Sequence, residues 1–367
     1  MDAQGQVDAR FGPVRERFAA VTRAQPGTGA ALAAWCEGRQ VVDLWGGHAD
    51  RDRRRPWDAR SLAQPYSVSK PFAAVCGLRL AEAGQLDLEA PVQRYWPQFR
   101  APATVRHLLS HQAGVVALDR PAPTAAFYDW DYLCGLLAAQ EPSWPPGTAH
   151  GESALFYGHL VGELVRRVDG RSIGRFLREE ICGPNGLDFT FGLSPAQQPR
   201  AVDLTGLDDA FRANNASGRP DLYRRAIANP PGAQDAAVVN SAAWRAAEIP
   251  ALNGHGTAGA LAGFYHALAA GRLLSPGMLA EAVTPQRTGP DLVFGHEASW
   301  GLGFAIDGDD GYGMAGLGGN YAGTSTAGGY TIAFVTGSVG NHDRLDALEN
   351  TLRDCLGLPP FPAGDST

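Results

Sequence analysis

The sequence predicts an α/β part joined to an all-α part, and three observations support this fold class. β-Rich segments lie near both ends of the chain, at residues 27–50, 299–306 and 320–337. Most of the stretch between them carries apolar residues at helical spacing. At 367 residues, the chain is also long for one ordinary hydrophobic core. We therefore expect a sheet built from both ends of the chain, with a helical lobe inserted between them.

The first sheet element is predicted to be a hairpin. Residues 27–50 contain two β-rich runs on either side of Glu37-Gly38, a pair suited to a tight turn. Near the other end, glycines punctuate the strands predicted at 299–306 and 320–337. Glycine in a strand permits a turn or the close approach of another backbone, so we expect either feature in these strands.

Helical patterns fill the middle of the chain and recur near its end. They cover residues 71–83 up to Gly84, 104–115 up to Gly114, 129–139, 157–182 with a break near Gly170, 221–228, 257–270 and 343–356. Residues 185–250 are otherwise irregular and rich in Pro, Gly, Asn and Asp. Because long loops in compact enzymes often shape binding sites, we expect this segment to lie near one.

Charge and hydropathy exclude several classes of function. The net charge of −7 argues against nucleic acid as a partner, and the one basic run, residues 51–55, reads as a solvated loop. The N-terminal segment has no apolar signal-peptide region. No run approaches the ~20 apolar residues that a membrane span needs. We therefore predict a cytoplasmic protein with no membrane association.

The cysteine and histidine patterns predict neither a disulfide framework nor a metal centre. The five cysteines are widely spaced and include no CxxC pair, which is typical of reduced, buried thiols. The nine histidines show no HExxH motif. We expect no metal and no cofactor, and the sequence leaves the oligomeric state open.

A serine and a lysine three residues apart form the most informative motif. Ser67 and Lys70 stand in SVSKPF, where an alanine-rich helical run begins, so both are expected on one helix face. A serine hydroxyl needs an adjacent base to become a nucleophile. A lysine is such a base only when burial or nearby charge lowers its pKa. Taken alone, so short a pattern is more often a capping serine followed by a solvated lysine.

The segments around this motif give it a context. In chain order they are SVSKPF (67–72), LDLEAPVQRYWPQF (86–99), VRHLLSHQAGV (105–115), PPGTAHG (145–151), LVGELVRRVDGRSIGRFLREEICGPNGLDF (160–189), EIPALNGHGTA (248–258) and GLGG (316–319). Together they resemble the serine β-lactamase and penicillin-binding-protein superfamily, in its class C-like branch, and most nearly the family VIII carboxylesterases. The resemblance implies a β-lactamase-like fold, with an antiparallel sheet flanked by helices, an inserted helical lobe and the site between them.

The resemblance also suggests where the two lobes divide. Residues 1–66 and 240–367 are assigned to the α/β lobe with the antiparallel sheet. Residues 67–239 are assigned to a mainly helical lobe that carries the serine helix and the loop with Glu152.

Two of the three elements that furnish the site in such proteins lie in the helical lobe. The Ser-x-x-Lys motif implies that Ser67 is the nucleophile that accepts the acyl group and that Lys70 is its proton partner. The second element is a tyrosine shortly after a Pro-Gly-Thr turn. Counting on from the turn at residues 146–148 gives that position to Glu152. Tyr157, five residues further on, is expected to face elsewhere.

The third element lies on the strand that edges the site, where such proteins carry Lys-Thr-Gly or His-x-Gly. Here Met314-Ala315-Gly316 occupies it, so the cationic or imidazole group is missing and the glycine is kept. The resemblance implies that the N–H groups of Leu317 and Ser67 form an oxyanion hole.

The substitution of glutamate for tyrosine leaves two interpretations open. A carboxylate near Lys70 is expected to stabilise the ammonium form and raise the pKa of the lysine. Glu152 itself would then accept the proton from Ser67 or from a water molecule. Alternatively, Glu152 and Lys70 form an inert ion pair and acyl transfer is lost.

Several other residues are candidates for supporting roles. His150 is a neighbour of Glu152 and is expected to tune it. Asn253 and His255 are assigned to substrate contacts near the cleft, and Trp130 to an acyl pocket. His111 is expected to be a hydrogen-bonded packing residue.

These observations predict a serine hydrolase that forms an acyl-enzyme on Ser67 with a small-molecule ester, lactone or other activated acyl substrate. Transfer of the acyl group to an alcohol or amine, in a biosynthetic acyltransferase or cyclase, would use the same intermediate. A binding protein that keeps the fold without turnover is the third alternative, and Glu152 and Met314 are the residues that favour it.

Overall fold

A computed structural model describes residues 3–24, 27–308 and 310–361 of the chain. The strands in these ranges are β1 (Gln4–Val7), β2 (Ala30–Cys36), β3 (Arg39–Gly46), β4 (Phe189–Phe191), β5 (Gly254–Gly256), β6 (Arg287–Pro290), β7 (Glu297–Trp300), β8 (Ala305–Asp307), β9 (Gly311–Gly316), β10 (Asn320–Ser325) and β11 (Tyr330–Thr336). The α-helices are α1 (Gly12–Ala24), α2 (Lys70–Glu82), α3 (Val105–Leu109), α4 (Trp130–Ala139), α5 (Tyr157–Asp169), α6 (Ile173–Phe176), α7 (Asp209–Ala216), α8 (Asp221–Ala228), α9 (Ala236–Val239), α10 (Ala242–Ala246), α11 (Ala258–Ala269), α12 (Pro276–Val283) and α13 (Asp343–Leu356).

The main sheet is antiparallel and is built from both ends of the chain. Its nine strands lie in the order β1-β3-β2-β11-β10-β9-β8-β7-β6, and β4 pairs separately with β5. The two ends meet where β2 pairs with β11, with Ala30 opposite Thr336. This confirms the predicted sheet.

Helices cover both faces of the sheet, as predicted. Because successive residues of a strand point to opposite faces, β2 contributes to two hydrophobic clusters. Ala30, Leu32 and Ala34 pack in a cluster with α1 and α13. Ala31 and Ala33 belong to a larger cluster on the other face, where α11 packs against β2 and β11.

The larger cluster continues into the middle of the chain. Helix α2 packs against α5, which also contacts α3 and α4. Buried residues of these helices and of α11 form one hydrophobic cluster. The division of the chain into lobes at residues 66/67 and 239/240 stays a prediction, and one core links the two expected parts.

The hairpin predicted at residues 27–50 is confirmed. Strands β2 and β3 pair on either side of Glu37-Gly38. Both turn residues have positive φ, 52° and 78°. Such a turn matches the right-handed twist of the paired strands, and glycine adopts this conformation at no steric cost.

The strands predicted near the C-terminal end divide more finely than expected. Residues 299–306 contain the end of β7 and the start of β8, and residues 320–337 contain β10 and β11. Gly303, with φ of +88°, lies between the first pair, and Gly329, with φ of +67°, lies between the second. The predicted strands are therefore present, and in each range a left-handed glycine reverses the chain inside the β-rich run, as the glycine content suggested.

Two helix ends also differ from the sequence pattern. The helix predicted over residues 104–115 ends at Leu109, and His111, with φ of +58°, turns the chain before Gly114 is reached. The helix predicted over residues 157–182 breaks at Gly170, as expected, and continues as α6 and the π-helical turn Leu177–Cys182.

In the ranges that the structure describes, no helix is long and apolar enough to cross a membrane. Among the same residues, no group of three or more His, Cys, Asp or Glu side chains is arranged to hold a metal ion. The cysteines are free thiols, and only Cys355 is not buried.

A buried acidic cluster lies between the sheet and α13. The Tyr330 hydroxyl donates to Glu349 Oε1 at 2.5 Å, and Arg353 Nη1 donates to the same hydroxyl at 3.1 Å. The Tyr321 hydroxyl donates to Asp307 Oδ2 at 3.1 Å. Burial raises the pKa of Glu349 to about 7 and the pKa of Asp307 to about 6. Both carboxyl groups therefore bind protons more tightly in the folded state than in the unfolded state.

We expect Glu349→Gln to flatten the dependence of stability on pH. Because the folded-state pKa lies above the ordinary value of about 4.3, the stability contributed by the proton is complete below that value and is lost as pH rises through about 7. Melting temperatures measured from about pH 4 to about pH 8 should fall more steeply for the wild type than for the variant. Glu16→Gln, on the exposed face of α1, is the charge-matched control. Equal slopes for wild type and Glu349→Gln would contradict the assignment.

Candidate active site

Ser67 lies on a strained turn that leads directly into α2. Residues Tyr66–Ser69 form a 3₁₀ turn, and Tyr66 adopts a φ of +51°, which is uncommon for a bulky residue. Two hydrogen bonds hold the turn: the Tyr66 hydroxyl donates to the Ala233 carbonyl at 3.1 Å, and the Gly254 N–H donates to Ser69 Oγ at 3.1 Å. The surroundings therefore fix the direction of the Ser67 side chain.

The side chains of Ser67, Lys70 and Glu152 meet at one point. Lys70 Nζ donates to Ser67 Oγ at 2.6 Å, and the Ser67 hydroxyl is placed to donate to Glu152 Oε1 at 3.2 Å. Lys70 Nζ also lies 2.7 Å from Glu152 Oε1. The lysine side chain is 0% exposed and the glutamate side chain 11% exposed. The hydroxyl is thus in contact with an ammonium donor and a carboxylate acceptor in a site with little water.

Burial dominates the electrostatics of Lys70. Removal from water lowers the pKa of Lys70, and the charge of Glu152 opposes that change without cancelling it. Glu152 raises the pKa of the lysine, as expected, but burial of the ammonium group has the larger effect and the net change is downward. The ammonium form of Lys70 is therefore less favoured than that of an exposed lysine.

The loop that carries Glu152 packs between two hydrophobic side chains. A Cβ atom added at Gly151 would lie 2.8 Å from Trp144 and 2.9 Å from Val293, so only glycine fits here. The Glu152 N–H donates to Asp291 Oδ2 at 2.9 Å. The loop is therefore attached to the connection between β6 and β7.

The irregular segment predicted to lie near a binding site lies beside the candidate site. Its residue Ala233 accepts the hydrogen bond from Tyr66. Tyr223, on α8, packs in one hydrophobic cluster with Trp144 and Val293, the same two residues that enclose the Glu152 loop.

Strand β9 approaches the serine turn at Gly316. A Cβ atom at this position would lie 2.1 Å from the Pro65 carbonyl oxygen, so any side chain is excluded. The next residue, Leu317, accepts a hydrogen bond at its carbonyl from Asn320 Nδ2 at 2.9 Å. This contact holds the turn that would present the Leu317 N–H. Met314 is 2% exposed and brings no charge to this strand.

The structure does not bring Asn253 or His255 into contact with Ser67. The Asn253 amide caps the preceding segment: it accepts from the Ile249 N–H at 2.9 Å and donates to the Trp244 carbonyl at 2.6 Å. His255 is completely buried in β5 opposite Thr190, and burial lowers its pKa to about 3. The Asn253 amide is hydrogen-bonded within its own segment and the His255 side chain is completely buried, and the assignment of these two residues to substrate contacts stays a prediction.

Trp130 also lies outside the group around Ser67. Its indole Nε1 donates to Glu163 Oε2 at 2.8 Å, and its ring packs on His159 with centroids 4.7 Å apart. Trp130 therefore joins α4 to α5, and its assignment to an acyl pocket stays a prediction.

His150 reaches the site through its backbone. It forms an isolated bridge with Asp291, and its carbonyl accepts from the Leu292 N–H at 3.0 Å. Its side chain is buried, which lowers its pKa. His150 thus helps to attach the Glu152 loop, and no hydrogen bond from its ring to the Glu152 side chain is present among the described contacts.

Sequence reasoning missed Asp291 and Asn320. Both are buried polar residues next to backbone groups of the site. For Asp291 the sequence did contain a signal: it stands before apolar residues in PDLVF (290–294), a pattern typical of an aspartate that caps a turn.

Comparison with known proteins identifies the family. A family model described as β-lactamase matches residues 14–354. The chain is 36% identical over 288 residues to the esterase/β-lactamase LipL of Mycobacterium tuberculosis (strain ATCC 25618 / H37Rv), which is 73% of this chain and 64% of LipL. It is 28% identical over 175 residues to a β-lactamase of Escherichia coli (strain K12), which is 46% of this chain and 45% of that protein. The matched region is therefore less than two thirds of the length of either relative.

Solved structures agree with this result. A family VIII carboxylesterase matches with a TM-score of 0.87 and 34% identity, over 97% of this chain and 100% of that chain. A penicillin-binding protein homologue from Caulobacter crescentus matches with a TM-score of 0.86 and 34% identity, over the same shares of the two chains. The chain belongs to the β-lactamase family, and its fold is the β-lactamase-like fold that the sequence predicted.

We expect Gly316→Ala to destabilise the contact between β9 and the serine turn. The added methyl group would overlap the Pro65 carbonyl oxygen, and overpacking of this kind costs about 1–3 kcal/mol. Thermal or urea unfolding should show this loss. Gly135→Ala is the matched control, because an added Cβ in α4 meets nothing within 4 Å. A Gly316→Ala protein as stable as wild type would contradict the close approach.

Proposed function

We propose that the protein is a serine hydrolase that cleaves ester or other activated acyl bonds through a covalent acyl-enzyme on Ser67. One observation carries this proposal: Ser67 Oγ lies within hydrogen-bond reach of both Lys70 Nζ and Glu152 Oε1, at 2.6 and 3.2 Å. A nucleophile within reach of its base, with a charged group beside both, is the arrangement that nucleophilic catalysis requires.

The directions of the two hydrogen bonds suggest which residue accepts the proton and which stabilises the developing charge. The Ser67 hydroxyl donates to Glu152, so the carboxylate accepts the proton as Oγ attacks the acyl carbonyl. Lys70 donates to Oγ and stabilises the negative charge that develops there. The leaving alcohol then takes the proton from Glu152, and the acyl group remains on Ser67.

Deacylation would use the same groups in reverse. Glu152 accepts a proton from a water molecule, which attacks the acyl carbonyl, and the proton returns to Ser67 Oγ as the acid leaves. The N–H groups of Ser67 and Leu317 are the proposed oxyanion donors in both steps. The contact of Gly316 with Pro65, which brings β9 against the serine turn, supports this assignment.

Neutral acyl substrates fit this site better than anionic ones. Met314 stands where the resemblance places a lysine or histidine, so β9 offers no cation at that position to a substrate carboxylate. The name of LipL includes both esterase and β-lactamase, and a structural relative is named a carboxylesterase. We propose esterase activity on small or medium acyl groups and weak activity on β-lactams.

The ion pair between Lys70 and Glu152, at 2.7 Å, also favours a second candidate, a binding protein without turnover. In that protein Lys70 and Glu152 would interact only with each other, and neither would activate the Ser67 hydroxyl. The two candidates differ in whether Ser67 becomes acylated.

Exposure to a fluorophosphonate or a p-nitrophenyl ester should add one covalent group to the protein. Intact-protein mass spectrometry should show the adduct, and peptide mapping should assign it to Ser67, since its hydroxyl is the nucleophile. Ser67→Ala is the control and should remain unlabelled. No adduct under conditions that label a known serine esterase would refute the covalent mechanism.

Glu152→Gln should lower the rate of ester hydrolysis by roughly 10²-fold or more, because it keeps the shape of the side chain and removes the base. Glu152→Tyr restores the group that the family resemblance places there and is expected to keep measurable esterase activity. Circular dichroism and melting curves show whether each variant folds. Wild-type turnover that survives Glu152→Gln unchanged would refute the base assignment and leave Lys70 as the base.

A further inference from the structure

We infer that His111 and Asp291 act together as positioning residues for the proposed base. They bind the backbone of the Glu152 loop from two sides and so hold the carboxylate at Ser67. The inference rests on the proposed function of Glu152, and we refer to these two residues as the Glu152 clamp.

Three successive backbone N–H groups of the loop donate to the clamp. The Gly151 N–H donates to the His111 carbonyl at 3.1 Å, and the Ser153 N–H donates to His111 Nδ1 at 3.1 Å. Between them, the Glu152 N–H donates to Asp291 Oδ2 at 2.9 Å. Because consecutive amides point to partners on different elements, the loop cannot rotate or shift by one residue without losing at least one of these bonds.

His111 is suited to this role by its conformation and its surroundings. Its left-handed backbone, with φ of +58°, brings both its carbonyl and its ring to the same loop. The ring packs between Tyr157 and Trp300, with centroids 4.5 and 4.3 Å away. Burial and the nearby charge of Lys70 lower the pKa of His111 well below its usual value. The imidazole therefore stays neutral near pH 7, and Nδ1 remains an acceptor for the Ser153 N–H.

Asp291 is a buried carboxylate surrounded by donors. Its Oδ1 accepts from the N–H groups of Val293 and Phe294 at 2.9 and 2.8 Å. Its Oδ2 accepts from the Glu152 N–H and, at 3.3 Å, from the indole Nε1 of Trp300. Trp300 thus touches both halves of the clamp and connects them.

This arrangement explains how a flexible glutamate is held at the serine. The side chain has three rotatable bonds, but it starts from a fixed backbone and ends at the buried ammonium of Lys70. A misplacement of about 1 Å at a reacting group can cost about 10²-fold in rate. The clamp is therefore expected to affect the acylation rate far more than substrate affinity.

Three variants and one control test the inference. Asp291→Asn replaces one carboxylate oxygen with an N–H₂ group, which cannot accept a hydrogen bond. One of the two groups of N–H donors around this side chain then loses its acceptor, and the Asp291 half of the clamp is broken. His111→Phe keeps a ring between Tyr157 and Trp300 and removes the acceptor. His111→Asn keeps an acceptor and tolerates the left-handed backbone. Tyr157→Phe is the control, because it removes a buried hydrogen bond to the Leu109 carbonyl beside the same ring without touching the Glu152 loop.

The readouts are the rate of Ser67 labelling by a fluorophosphonate, the kcat and KM for a p-nitrophenyl ester, and hydrogen exchange of the peptide that contains residues 151–153. Asp291→Asn and His111→Phe should each lower kcat and the labelling rate by about tenfold or more, with little change in KM and with faster exchange in that peptide. His111→Asn should recover most of the rate, and Tyr157→Phe should keep it, at temperatures where all four proteins are folded.

Each other result has a definite meaning. If Asp291→Asn and His111→Phe keep the wild-type kcat and labelling rate while Glu152→Gln lowers them, the clamp is refuted and the proposed function stands. A Tyr157→Phe rate as low as that of His111→Phe would overturn it too, because general destabilisation would then explain both. A wild-type protein that is neither labelled nor active would overturn the proposed function, and the clamp with it.

Discussion

The burial of one positive charge is the constraint on which this site depends. Lys70 is completely enclosed, and an isolated ammonium group in such a place costs several kcal/mol. Its partners are the Glu152 carboxylate at 2.7 Å and the Ser67 hydroxyl at 2.6 Å. Removal of the charge on Lys70 or on Glu152 would leave the other charge buried and unpaired. The serine helix and the Glu152 loop therefore depend on each other. The attraction that stabilises this contact also places the Glu152 carboxylate beside the Ser67 hydroxyl.

The fold supplies the rigid frame that this contact needs. The serine turn is fixed by Ala233 from the irregular segment and Gly254 from β5. Strand β9 presses against the same turn at Gly316. Each of these contacts joins the serine turn to a residue much further along the chain, by 167 positions for Ala233 and 185 for Gly254. A strained Tyr66 is tolerated there because its neighbours hold it in place.

The sequence predicted those features that local patterns encode. The hairpin at Glu37-Gly38, the helix after Ser67 and the proximity of Ser67, Lys70 and Glu152 follow from turn chemistry, helical spacing and ordered motifs. The exact ends of β7 and β8 were not predicted, because the β-rich pattern continues across the glycine turn. Asn253, His255 and Trp130 are near the motifs in sequence, but the hydrogen bonds of Asn253 and Trp130 go to residues other than Ser67 and His255 is completely buried. The direction of a side chain depends on tertiary contacts, which a sequence pattern does not show. The role of Asp291 was not predicted for the same reason.

The replacement of tyrosine by glutamate changes the charge of the whole site. An unperturbed phenol is neutral at pH 7 and an unperturbed carboxyl group is ionised, since their pKa values differ by about six units. With Glu152, the ammonium of Lys70 has a partner of opposite charge, and the pair is neutral overall. Met314 adds no second cation on β9. Because Met314 offers no positive charge, attraction toward a substrate carboxylate is absent from the position where the family resemblance would supply it. Under the proposed function, Glu152 and Met314 together therefore favour a neutral acyl group over a β-lactam acid.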